Sequence, residues 1–278
     1  MDSTRRIQTL LIAVGGVLAL VIAFYMGMHF GKQQAGAPSE KTGSSASATQ
    51  KSDSQQNKNE ETKEKGDKQA ANPNLTPGRD FSPSHTDPKV LELVRAEIHR
   101  KADDPRALGD PNAPVVLVSY EDFSCPMCGV YHANTHQQLL KLVEEGKLRI
   151  EFRDLVIFPN YNSQLAHQGA RAAGQQGKFW EFTKEAFAMT ANGAHPQYTK
   201  EIILDIAKRA GVENLSAFEK AFESEEIVNA VQEETLHARQ NLGLTGTPFF
   251  IVGDAVISGA QPTEFFINTI EQQLIEAK

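Results

Sequence analysis

The first pattern along the chain is a continuous apolar run, LLIAVGGVLALVIAFYMGM from Leu10 to Met28, extending to Phe30 with a polar break only at His29. A helix of about 20 such residues crosses a bilayer core of roughly 30 Å, so the run predicts a membrane-spanning helix. A cleaved secretory signal has a shorter apolar region, about 7 to 15 residues. The small-residue stretch Ala35-Gly36-Ala37 makes a poor cleavage site, because Pro38 follows it directly. From Lys32 to Asp80 the apolar pattern vanishes into Ser, Gln, Lys, Glu, Asn, Gly and Ala, with no aromatic residue. Such a segment cannot bury enough apolar surface to offset its ordering entropy, and it is expected to be a disordered tether.

Periodicity resumes after Phe81. A short helix is expected around Val90 to Arg100, and the turn-rich GDPNAP, Gly109 to Pro114, leads into VVLVSY, Val115 to Tyr120. That β-branched run is apolar on both faces and reads as a central buried strand. Beyond Glu121 to Ser124, residues Leu139, Leu140, Leu142 and Val143 mark a helix that Gly146 stops. The alternation in KLRIEFRDLVI predicts a second strand, Leu148 to Val156, so strand, helix and strand form a βαβ unit with parallel strands. From about Gln164 to Leu242 the period is helical, with glycine-containing breaks that divide it into four helices. TPFFIVGDAVISG then reads as a strand pair turning at Gly253-Asp254, and an amphipathic helix runs from Pro262 to Ala277. The fold class is α/β with a helical insertion at about residues 160–242. The expected organisation is a cytoplasmic stub and anchor at 1–31, a linker at 32–80 and one folded domain at 81–278.

Charge adds orientation. Arg5 and Arg6 precede the apolar run and only Lys32 follows closely, which leaves the N-terminus in the cytoplasm and everything after residue 31 outside. The net charge of −7, with both signs mixed in the linker, argues against a nucleic-acid-binding arm. Within the run, Gly15, Ala19, Ala23, Gly27 and Gly31 recur every four positions; this stripe is either incidental or a face for self-association or docking on a membrane partner.

The only two cysteines, Cys125 and Cys128, stand in FSCPMCGV. Outside the cytoplasm free thiols meet oxidants. A sulfur at the start of a helix lies near free backbone N–H groups and the positive end of the helix dipole, which favour thiolate over thiol. Pro126 suits the first turn of such a helix, and Cys128, one turn further on, can attack a mixed disulfide formed at Cys125. A structural disulfide closing so small a ring gains little, and a zinc ribbon needs a second cysteine pair. A metal reading using Cys125, Cys128 and His132, spaced three and four apart, with His136 behind them, stays open beside redox chemistry. Taken alone, His132 and His136 read as exposed helix surface, and Phe179, Trp180, Phe182 and Phe187 read as helix core.

The run GDPNAPVVLVSYEDFSCPMC resembles the opening of the DsbA-like thiol-disulfide oxidoreductases; GKFWEF, Gly177 to Phe182, is similar to part of that family's helical insertion. GTPFFIVGDAVISGAQP, Gly246 to Pro262, is similar to its last strands. The resemblance implies a thioredoxin-like fold, catalysis by Cys125 and Cys128 without a cofactor, and a cis Thr247-Pro248 bond beside them. Thr247 and Pro248 would then meet the substrate backbone, with Pro126 and Met127 in the active-site loop. It also implies secreted or cell-surface protein substrates with cysteines, and a quinone-linked membrane reoxidant of the DsbB or VKOR type. Many relatives carry an acidic residue six positions before the first cysteine, where this chain has Ser119. Glu121, on the same strand face, is the candidate proton relay, whereas Asp122 should point elsewhere. The reading is an extracytoplasmic dithiol oxidase. The alternatives are a reductase or isomerase and, from another class, a metal-binding or metal-delivery module.

Overall fold

A computed structural model describes residues 72–277. The apolar run at Leu10 to Met28, its small-residue stripe and most of the linker lie outside the described residues. No helix among the described residues is long and apolar enough to cross a membrane.

The centre is a five-stranded sheet in the order β1-β3-β2-β4-β5. Its strands are β1 (Ala107–Leu108), β2 (Val115–Glu121), β3 (Leu148–Asp154), β4 (Phe249–Val252) and β5 (Ala255–Ser258). β2 runs parallel to β3, from Val115 opposite Leu148 to Glu121 opposite Asp154, and antiparallel to β4, with Tyr120 opposite Phe249. The β-branched run therefore takes the middle position that its two apolar faces predict, and all seven of its residues are buried. Val115 and Leu117 pack with Tyr131, Leu139, Phe250 and Phe266. On the other face Val116, Val118 and Tyr120 pack with Val90, Val94 and Leu244. Burying each side chain of this size contributes roughly 1.5–3 kcal/mol.

The βαβ crossover is a broken helix. α2 (Pro126–Tyr131) passes through a π turn, His132–His136, into α3 (Gln137–Glu144). Before the sheet, α1 (Pro88–Ala96) ends earlier than the Val90–Arg100 pattern suggests. The following residues leave the helix to cover β3, where Glu151 accepts from the N–H groups of His99 at 3.1 Å and Arg100 at 2.8 Å. The same carboxylate accepts from Arg149 and Arg153. Burial by itself would raise its pKa, but the two guanidinium groups and the His99 N–H hold it at about 2. The alternating strand is thus buried on both faces, its polar face included.

The insertion holds five helices rather than the four expected: α4 (Ser163–Gly174), α5 (Phe179–Ala188), α6 (Lys200–Arg209), α7 (Leu215–Phe222) and α8 (Glu225–Gln240). The extra break has no glycine; Ser224 caps α8 by accepting the Ile227 N–H. Phe179, Phe182 and Phe187 sit in the core with Phe123, Phe152 and the alanines of α4, while Trp180 is only partly buried. Gly169 allows α4 to approach α5 closely, since a Cβ there would lie 2.6 Å from the Phe182 ring. Gly129 does the same for α2, because a Cβ would collide with Thr190 just beyond α5. The final helix, α9 (Thr263–Glu276), closes the sheet layer beside β5.

Candidate active site

β2 delivers the chain into the loop that carries the cysteines, and Asp122 fixes that loop. Its Oδ1 accepts the Ser124 N–H at 2.7 Å. Its Oδ2 accepts the N–H groups of Ile157 at 2.7 Å and Phe158 at 3.0 Å and the Ser163 hydroxyl at 2.9 Å. One carboxylate therefore ties the residues before Cys125 to the connection between β3 and α4. It points away from Glu121, as strand alternation requires. The Ser124 hydroxyl donates to the Pro196 carbonyl at 2.9 Å, which adds a second tie to the insertion.

Cys125 is the N-cap residue of α2, with extended backbone at φ −86° and ψ 116°, and Pro126 occupies the first turn. Its thiol donates to the Thr247 carbonyl at 3.3 Å. The Thr247-Pro248 bond is cis, as the resemblance implies. Both cysteines are free thiols and both are buried, Cys128 completely. Their acidities separate. The Cys128 thiol, foremost, and the backbone N–H groups of Cys128 and Met127 outweigh burial and lower Cys125 from 9.0 to about 7. Burial, together with the neighbouring Cys125 and the charge of Glu121, pushes Cys128 well above 9.0. Around the pair, Met127 and Val130 expose apolar side chains on the first turns of α2.

Behind Cys128, the carboxylate of Glu121 meets His132, Oε2 to Nε2 at 2.8 Å. The expectation that His132 and His136 lie on an exposed helix surface is corrected: they are 8 % and 5 % exposed. The π turn widens the helix at these residues, and α5 packs across it. His132 stacks on Phe187 with ring centroids 4.1 Å apart, and His136 stacks on Trp180 at 5.4 Å. Burial and the neighbouring His132 hold His136 well below the ordinary histidine range. The grouping of Cys125, Cys128 and His132 does not converge, because the Nε2 of His132 faces Glu121 instead. Among the described residues no group of three His, Cys, Asp or Glu side chains is disposed to hold a metal ion. Sequence spacing had aligned the histidines with the cysteines but carried no signal for the π turn that buries them. Ser119, two residues before Glu121 on β2, is buried with its hydroxyl unpartnered.

A thiolate populated near neutral pH, one helical turn from a far less acidic buried thiol, is an arrangement suited to exchanging disulfides. The comparisons agree with this chemistry. The family model described as Thioredoxin matches residues 101–272. Disulfide bond formation protein D of Bacillus subtilis (strain 168) is 24% identical over 170 residues, covering 60% of this chain and 76% of that protein. The crystal structure of oxidised BdbD from Bacillus subtilis has the same fold, with a TM-score of 0.55 and 23% identity over 61% of this chain and 92% of that one. The alpha-DsbA1 structure from Wolbachia pipientis also has a TM-score of 0.55, at 22% identity over 62% of this chain and 92% of that one. The chain belongs to the thioredoxin family and, within it, is a DsbA-like thiol-disulfide oxidoreductase, an enzyme that acts on protein disulfides.

Proposed function

We propose that this enzyme is an extracytoplasmic dithiol oxidase that introduces disulfides into secreted or cell-surface proteins through Cys125 and Cys128. The observation that carries the reading is the placement of the pair: Cys125 is the N-cap of α2 with its thiol on the Thr247 carbonyl beside the cis Pro248, and Cys128 lies one turn on and completely buried, which lowers the pKa of the first and raises that of the second. In the oxidised enzyme the two sulfurs are bonded. A substrate thiolate attacks the Cys125 sulfur, the disulfide breaks, and the Cys128 sulfur leaves with the electron pair and takes a proton. A second substrate thiolate then attacks the substrate sulfur of the mixed disulfide, and Cys125 departs as a thiolate. The substrate loses two electrons and the cysteine pair gains them. A thiolate of low basicity leaves faster, so the lowered pKa of Cys125 favours this direction. The name of the Bacillus subtilis relative, a disulfide bond formation protein, supports it too.

In this reading the half-buried Thr247, with Pro248, offers backbone groups to an extended substrate segment, as in strand addition. Pro126 and Met127 shape the rim around Cys125, and Glu121 passes the proton that Cys128 takes or gives. A membrane anchor at 1–31 and a tether at 32–80 would hold the body, 81–278, outside the cell membrane. Reoxidation would come from a quinone-linked membrane protein of the DsbB or VKOR type. The stripe Gly15, Ala19, Ala23, Gly27 and Gly31 would serve self-association or that partnership. Equilibration of the full chain with glutathione buffers tests the direction: a potential toward about −120 mV is expected of an oxidase, and one near about −270 mV would assign a reductase.

A further inference from the structure

Cys128 is completely buried, so the proton it exchanges needs a route. In the mixed disulfide the substrate covers the Cys125 side, which leaves the opposite side of α2. There stands Glu121, 1 % exposed, with its carboxylate on His132. His132 in turn lines a cavity of about 510 Å³ between the π turn and α5, together with Gly129, His136, Trp180 and Phe187. The same cavity is lined by Glu181 and Lys184, both exposed, so it joins the buried imidazoles to solvent. His136 Nδ1, Trp180 Nε1 and Thr183 Oγ1, on residues that line it, have no protein partner. Buried polar atoms of this kind bordering a roomy space are the surroundings in which solvent is held.

We infer that His132 and this cavity form the proton path of the buried thiol, with Glu121 handing the proton between Cys128 and the imidazole. The inference rests on the exchange reaction proposed for the cysteine pair and adds the relay behind it. When the disulfide breaks, the Cys128 sulfur takes a proton from the Glu121 carboxyl. Glu121 recovers one from Nε2 of His132, and the imidazole recovers one from solvent at Nδ1. One proton has moved from solvent to sulfur, and the imidazole is left as its other tautomer with the hydrogen on Nδ1; reoxidation runs the sequence backward and restores it. Cys128 and Tyr131 of α2 and His136 of the π turn face this pair. From α5, Glu181 and Lys184 border the cavity. On one side of β2, β4 brings no ionisable group; on the other, β3 sets Asp154 in register with Glu121, its carboxylate taken by His167 and Arg171, and α9 brings Thr263 against Thr135. Ser119, the neighbour of Glu121 on the same strand face, has no ionisable group, so Glu121 with His132 is the buried acid–base couple beside this thiol.

The test uses the full chain and compares His132→Gln, which keeps a hydrogen-bonding group toward Glu121, with His132→Ala. Loss of a positioned proton carrier is expected to slow formation of reduced enzyme from the disulfide form by about 100-fold near pH 7 and to flatten its pH profile. Added imidazole, small enough for the cavity, should restore the His132→Ala rate. A His132→Gln chain with wild-type rate and pH profile overturns the relay, and so does a slowed His132→Ala chain that imidazole leaves slow. If wild type itself exchanges no disulfides, the proposed function falls instead.

Discussion

The Cys128→Ser chain is expected to accumulate covalent mixed disulfides with its substrates, while Cys125→Ser accumulates none and loses exchange by more than about a thousandfold. The asymmetry follows from the geometry. Only Cys125 lies at the free N-terminus of α2, beside Thr247 and the exposed Met127. In Cys128→Ser its thiolate attacks a disulfide of an oxidised client, one client sulfur leaves, and the other remains bonded to Cys125. Serine cannot then displace it, since a hydroxyl is not an effective nucleophile toward sulfur without ionisation. Non-reducing electrophoresis followed by mass spectrometry of the adducts measures both variants. Equal adduct levels in the two would show that the roles of the cysteines are not divided as the burial and acidity require.

The second large effect is on stability. Asp122→Ala strips the acceptor from three backbone N–H groups and the Ser163 hydroxyl, all within the fold. Leaving buried donors unpaired costs about 1–3 kcal/mol each, less where solvent enters the space vacated, so a net loss of about 4 kcal/mol is expected. Asp122→Asn should recover part of it, because one oxygen remains while the new NH₂ group faces donors. Urea unfolding measures both, through a lowered midpoint at unchanged slope. A loss below about 1 kcal/mol for the alanine variant would mean that the loop before Cys125 is held by other contacts, Ser124 to Pro196 foremost.

These two sites were unequally visible in the sequence. VVLVSY announces its central place through two apolar faces, and the Gly253-Asp254 turn and closing helix follow from ordinary turn and helix signals. The cysteine pair is visible because its spacing and Pro126 together specify a helix start. Asp122 is not, because its partners Ile157, Phe158 and Ser163 come from a connection whose path depends on the whole insertion. The burial of Arg149, Glu151 and Arg153 was hidden for a similar reason: β3 alternates like a half-exposed strand, and only the segment after α1 reveals its cover. The break between α7 and α8 was legible in principle, as Ser224 followed by Glu225 and Glu226 is a helix start without glycine. The inward turn of His132 was not, since a π turn follows no residue pattern that the period of 3.6 detects.

The most direct measurement is the pH dependence of alkylation at each cysteine of the reduced full chain, resolved by peptide mapping. The thiolate is the reacting form, so a lowered pKa places more of it at neutral pH. Cys125 should reach half its limiting rate near pH 7, the value its neighbours confer, with Cys128 still protected at pH 9. A Cys125 midpoint at about 8.5, that of an unperturbed cysteine, would contradict the account.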